Sequence, residues 1–214
     1  VALVTDGEAD RLLSDATAAL LAQGVLTTCS RAGLSLVLAG HGSEPLADGR
    51  IMVAGTPNTA TRGPLVVVGA AGGPGIPSVQ ADLSAGAASL CALLRELGHG
   101  HIAILSTGAD GERLAQIEPH LRGTGPLAVM QSGDGSTWPS RPAGESAARQ
   151  ALAARPRPTA LLALHDTLAL GAFDAAHRLG LHVPRDLTIV GIDDTPGADT
   201  LGLTTVLVPY RPMG

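Results

Sequence analysis

Two short polar corners carry the side chains of this 214-residue chain best suited to chemistry. His165-Asp166 ends the apolar run Thr159–Leu164, and Asp193-Asp194 ends the apolar run Leu187–Ile192. An ionised carboxylate only accepts hydrogen bonds and can take two donors side by side, as neighbouring hydroxyls offer them. An imidazole donates and accepts, and it titrates near neutral pH. Such a set suits recognition of a hydroxyl-bearing ligand, or acid–base work by Asp193 or His165. The sequence has no P-loop, no GxSxG elbow and no HxxxH pair to supply a nucleophile, a cofactor or a metal. The Gly-rich run Gly69–Gly75 has the wrong spacing for a dinucleotide fingerprint, and Pro74 and Pro77 prevent a helix from starting there. The seven histidines are dispersed and mostly at turns, which gives a metal site little support. No cofactor is implied.

The elements that must position these corners alternate along the chain. Strand-like apolar runs lie at Ala2–Thr5, Leu34–Ala39, Arg50–Ala54, Leu65–Gly69, His101–Ser106, Leu127–Gln131, Thr159–Leu164 and Leu187–Ile192. Helical periodicity marks Asp10–Arg31, Ser84–Leu97, Gly111–Leu121, Gly144–Ala154 and Asp166–Leu179. In the last of these, Asp166 is a good N-cap and Gly180 a natural C′ glycine. This alternation predicts an α/β fold with parallel sheets flanked by helices. Parallel strands that end in His165 and Asp193 would place both on one sheet edge, where open α/β sheets bind ligands; Asp6, at the end of the first strand, faces the same kind of edge.

Composition narrows the function classes. Hydrophobic residues make up 45% of the chain and charged residues 15%, which argues against disorder. No apolar run reaches the roughly 18 residues of a membrane span. The net charge is −5, all fourteen cations are scattered arginines, and the chain therefore lacks the basic footprint needed to grip phosphates by itself. Cys29 and Cys91 lie alone in apolar segments, as buried reduced cysteines do. Trp138, Phe173 and Tyr210 are the only aromatics, so the core must be built from Ala, Leu, Val and Ile.

The segment PTALLALHDTLALGAFDAAHRLGLHVPRDLTIVGIDD, followed by LTTV and PY, resembles the effector-binding core of LacI/GalR-family transcription regulators, and ADLSAGAASLCALLRELGHGHIAIL matches upstream. Together these cover over half of the chain in the right order. The resemblance implies a periplasmic-binding-protein-like fold of two similar lobes, residues 1–100 with 208–214 and residues 101–207, with a ligand cleft between them. It implies that Asp193 accepts hydrogen bonds from effector hydroxyls and that Arg113 reaches the effector from the second lobe. It places Asp82 at the cleft and hinge, with helix capping as its other reading, and an aromatic near Trp138, where stacking on a sugar face or a planar base competes with a lid over the core. His165 stands where the family has Asn, and Gln116 where it has Gly. For Asp194 the expected role is an Asx-turn ahead of Thr195-Pro196-Gly197.

The resemblance implies a non-enzymatic sensor of a small polar, sugar-like effector, cytoplasmic and homodimeric, with the helix at Ala85–Leu97 offering an apolar surface to a second copy. Operator DNA would be reached only through a helix-turn-helix headpiece absent from this chain, which opens on the strand-like Val1-Ala2-Leu3-Val4 with no initiator Met. A periplasmic solute receptor of the same fold and an α/β enzyme are the alternatives. On this reading Asp193→Ala should weaken effector binding ten- to hundredfold, on the order of 1.5–3 kcal/mol, and leave the melting temperature of the free protein nearly unchanged. Gly40–Gly49 and Gly55–Pro64 are short for the crossovers of parallel strands, which need about a dozen residues, so either helices have been lost there or residues are missing.

Overall fold

The computed structural model describes residues 1–5, 11–40, 46–53, 63–122, 128–131 and 138–214. The chain divides into two compact units, residues 1–82 with 209–214, and residues 83–208. Each is built on a five-stranded parallel sheet with helices packed on it.

In the first unit the strands are β1 (Ala2–Thr5), β2 (Val37–Ala39), β3 (Arg50–Val53), β4 (Leu65–Val68) and β5 (Ser78–Val79), in the spatial order β2-β1-β3-β4-β5. The helix expected over Asp10–Arg31 is two pieces, α1 (Arg11–Ser14) and α2 (Ala16–Arg31). Asp15 divides them because it is an N-cap: its backbone is extended and its carboxylate accepts from the Ala18 N–H at 2.8 Å. The apolar face of α2, including Leu21, Val25 and Cys29, is buried. The chain returns to this unit in α7 (Tyr210–Met213), where the backbone at Arg211 lies so close over Gly24 that any side chain there would overlap it. The two short connections read from the sequence fall largely on 41–45 and 54–62, outside the described residues; the strands they join are parallel.

The second unit holds α3 (Ser84–Glu96), β6 (Ile102–Ser106), α4 (Gly111–Ile117), a 3₁₀ turn (Glu118–Leu121), β7 (Ala128–Gln131), α5 (Arg141–Ala153), β8 (Ala160–Ala163), α6 (Asp166–Arg178), β9 (Thr188–Asp193) and β10 (Thr204–Leu207). Its sheet order is β7-β6-β8-β9-β10, the same permutation as in the first unit. In this doubly wound order the chain leaves the first strand in one direction and the third in the other, so a crevice opens between them at the carboxyl edge. For the second unit that switch point lies between β6 and β8.

Residues 83–100 group with the second unit because α3 packs on α4, on the 3₁₀ turn and on β10. Leu90, Cys91 and Leu94 of α3 are buried in this packing, while Ala85 and Leu97 of the same segment are exposed. Gln116, the departure from the family glycine, accepts the Leu83 N–H on its side-chain oxygen at 2.7 Å and so ties α4 to the start of α3.

With only 1% aromatics, the core of this unit is packed by close approach rather than by large side chains. The facing stripes of α5 (Ala143, Gly144, Ala147, Ala148, Ala151) and α6 (Leu168, Ala169, Gly171, Ala172, Ala175, Ala176) are mostly alanine and glycine. A side chain at Gly144 would overlap the Leu168 carbonyl, and one at Gly171 the Arg141 carbonyl. Helices that touch backbone to backbone fill the space that aromatics fill elsewhere. Cys29 and Cys91 are both buried free thiols.

Candidate functional site

Three corners, not two, converge on the carboxyl edge of the second sheet. The chain leaves β6 through Ser106 and Thr107 to Asp110, just ahead of α4. It leaves β8 through Leu164 to His165, and β9 ends on Asp193. The His165 ring is the hub: Nε2 lies 2.8 Å from Asp110 Oδ1 and Nδ1 lies 3.2 Å from Asp193 Oδ2. Arg113, one turn into α4, donates through one terminal nitrogen to Asp193 Oδ1 at 2.8 Å and to the Leu164 carbonyl at 2.6 Å. Asp110 is held in turn by the Thr107 N–H, which it accepts at 2.6 Å on Oδ2.

Burial sharpens these contacts. The Asp193 side chain is 0% exposed, whereas Arg113 retains 20%. A carboxylate in that position is costly unless paired, and Asp193 has a cation on one side and an imidazole on the other. Its backbone is also unusual, with φ at 132°. A side chain rarely adopts this region, and such strain of about 1–3 kcal/mol collects at functional sites, where the surroundings enforce it. Asp194 follows at φ 55°, exposed, its N–H donating to the Thr205 hydroxyl at 3.3 Å.

Burial by itself would lower the His165 pKa, and so would the Arg113 charge; the charge of Asp193 and the hydrogen bonds to Asp110 and Asp193 outweigh both and raise it. Burial would likewise raise Asp110, but the His165 bond and charge, with the Thr107 N–H, hold it below the ordinary carboxylate range. With the carboxylates of Asp110 and Asp193 facing its two nitrogens, the ring is satisfied on both sides when both nitrogens donate, and in that state the charges of Asp110, Asp193, Arg113 and His165 cancel.

The pH dependence of stability follows from those directions. The raised histidine contributes stability that is complete below its unfolded value of about 6.5 and is lost as pH rises through its folded value. The depressed Asp110 contributes stability that is present above about 3.9 and is lost as pH falls through its folded value. Urea unfolding of the wild type should thus show a lower midpoint at pH 8.5 than at pH 5.5, and in His165→Asn that difference should shrink. An equal difference in both proteins would remove His165 from the account.

Asp166 does not cap α6. His165 takes the N-cap position, and Asp166 is the first helical residue, 1% exposed. Its carboxylate instead accepts from the Thr195 N–H at 2.8 Å, the Thr195 hydroxyl at 3.2 Å and the Thr205 hydroxyl at 2.6 Å. It thereby pins the turn after β9 to β10. Gly191 lies beneath it because a Cβ there would overlap the carboxylate. Burial raises the Asp166 carboxyl, against the bonds from Thr205 and Thr195.

Of the residues singled out from sequence, Asp193, His165 and Arg113 are thus brought together. Trp138 is half-buried just ahead of Ser140, the N-cap of α5. Asp82 lies at the end of the first unit, next to Leu83, which holds the N-cap position of α3. Asp6 lies outside the described residues. The residue that sequence reasoning missed is Asp110. Its signal was present: a buried strand, a polar corner and a helix start, the same pattern that singled out His165 and Asp193. Among the described residues no cluster of three or more His, Cys, Asp or Glu side chains is arranged to hold a metal ion, and no helix is long and apolar enough to cross a membrane.

A model of the periplasmic binding protein-like domain family matches residues 91–214. DegA of Bacillus subtilis, an HTH-type transcriptional regulator, is 35% identical over 127 residues, which cover 56% of this chain and 37% of that protein. The crystal structure of a LacI-family transcriptional regulatory protein from Corynebacterium glutamicum is 26% identical and aligns with a TM-score of 0.77 over 98% of this chain and 83% of that one. A LacI family transcriptional regulator from Enterococcus faecium, solved with bound ribose, shares the fold at 19% identity, with a TM-score of 0.82 over 99% of this chain and 85% of that one. The chain belongs to the periplasmic binding protein-like domain family, and the regulators it is similar to include LacI-family proteins. The relatives are transcriptional regulators, not enzymes. The chain spans less than half the length of the curated relatives it matches.

Proposed function

We propose that this domain senses a small, neutral, hydroxyl-rich metabolite, a sugar or a close relative, at the carboxyl edge of its second sheet. The observation that carries the reading is Asp193: a strained, fully buried carboxylate at the end of β9, held ready by Arg113 and by His165 from the neighbouring corner after β8. Such a carboxylate can take hydroxyl donors alongside its existing partners, because each oxygen has more than one acceptor direction. A site whose four charges cancel favours a neutral ligand, whereas a polyanion would meet Asp110 and Asp193 unfavourably. Arg113, the most exposed of the four, supplies the donor most open to a ligand, and Trp138 is a candidate for stacking on a sugar face. Both His165 nitrogens are engaged within the protein, so its role is to hold Asp193 rather than to replace the amide it stands for.

Effector binding acts on transcription only if the ligand prefers one conformation of the regulator over another. In the whole protein that change would be passed, through a homodimer, to a DNA-binding headpiece in the cytoplasm. A thermal-shift screen of neutral pentoses, hexoses, disaccharides and nucleobases tests the sensing role. A true effector at a hundred times its Kd adds about 2.7 kcal/mol to stability and is recovered chemically unchanged. Turnover of a hit would favour an enzyme instead, and a screen in which only anionic compounds bind would contradict the neutral-ligand reading.

A further inference from the structure

Sugar sensing by Asp193 and Arg113 gives Asp110 no role beyond its place beside His165, and its geometry assigns it one. Ionised carboxylates accept and do not donate, so a ring whose two nitrogens each face one is satisfied on both sides only when both nitrogens carry hydrogen. His165 meets Asp110 at 2.8 Å through Nε2 and Asp193 at 3.2 Å through Nδ1. We propose that Asp110 is a positioning residue of the effector site: by holding Nε2 it keeps one proton stored on His165, and the charged ring steadies the strained Asp193 carboxylate from the side opposite Arg113.

The surroundings of the ring agree. The charged groups that face it are Asp110 and Arg113 from the α4 region and Asp193 from β9, and its own helix adds Asp166, whose carboxylate is turned to Thr195 and Thr205. Asp110 is itself fixed from behind by the Thr107 N–H, so it cannot swing away from the ring without losing that bond. If the ring loses its proton, one nitrogen presents a lone pair to a carboxylate. The shorter contact, to Asp110, keeps the remaining hydrogen, and Asp193 loses the imidazole donor while keeping its bond from Arg113. Asp110 thus sets both the charge of the site and the number of donors that hold Asp193. The inference rests on the effector-site reading for its functional meaning, but its test needs no effector.

The test is ¹⁵N spectroscopy of the histidine rings in the intact chain, with His165→Gln used to assign the resonance. In the wild type at pH 7.5 both His165 nitrogens should give protonated shifts, and the ring should titrate above the ordinary histidine range. In Asp110→Asn the midpoint should fall by at least one pH unit, and Asp110→Glu should recover part of that fall. If Asp110→Asn does not fold, the wild-type spectrum still decides. A neutral ring at pH 7.5, or a midpoint that ignores Asp110→Asn, overturns the proposal and leaves the sugar-sensing reading to its own screen.

Discussion

Asp193→Ala should destabilise the second unit by about 3–5 kcal/mol, because it leaves the guanidinium of Arg113 and the imidazolium of His165 without the carboxylate that lies between them. The sequence reading expects a change in binding alone, which holds for a surface carboxylate. With a side chain 0% exposed and Arg113 and His165 as partners, Asp193 is part of the folded state as much as of the site. Trp138, the only tryptophan, lies in the second unit, so urea unfolding followed by its fluorescence reports on the right part of the chain. Asp193→Gly separates two contributions. It loses the same charge but relieves the backbone at φ 132°, and it should recover roughly 1–3 kcal/mol relative to alanine. An alanine variant as stable as the wild type would mean that the ion network does not hold in solution.

Gly171→Ala should have an effect of similar size for a different reason. Alanine is the better helix former by about 1 kcal/mol, so intrinsic propensity predicts a gain. Here the added Cβ would overlap the Arg141 carbonyl and crowd the Glu145 amide of α5, both backbone groups that cannot rotate out of the way. Overpacking costs about 1–3 kcal/mol and occasionally more, and a clash with fixed backbone belongs at the upper end. Gly111→Ala is the control, since Gly111 opens α4 in an ordinary conformation with open space around its Cβ direction. It should be neutral or slightly stabilising. A Gly171→Ala protein that unfolds at the wild-type urea concentration would show that α5 and α6 are not in backbone contact.

Much of the fold was legible because the chain is locally consistent. Apolar runs of strand length alternate with helical periodicity, and the resulting strands and helices of the second unit sit within a residue or two of their expected limits, save for the first turn of α5 and the end of α4, where the last expected turn is 3₁₀. The elements that escaped lack the signal that such reading uses. β5 is two exposed residues, Ser78 and Val79, and β10 is Thr-Thr-Val-Leu with no buried member, so neither shows an apolar run. Both are edge strands of their sheets, where burial on one face is weak. Asp166 was misplaced because a helix-start aspartate ordinarily caps; the hydroxyls that capture it, on Thr195 and Thr205, are remote in sequence. The same separation hid the site's wiring. Its corners were visible one by one, but the bonds that join Asp110, His165 and Asp193 span the sheet, and no spacing along the chain encodes them.

The most direct test of the sensing site is calorimetric titration of a neutral sugar identified by thermal shift into wild-type protein and Asp193→Asn. Asparagine keeps the shape of the side chain but loses the charge that draws Arg113, His165 and ligand hydroxyls together. A ten- to hundredfold weaker affinity is expected in the variant, about 1.5–3 kcal/mol. An affinity unchanged by Asp193→Asn would place the effector elsewhere on the molecule and contradict the assignment of this sheet edge as the site.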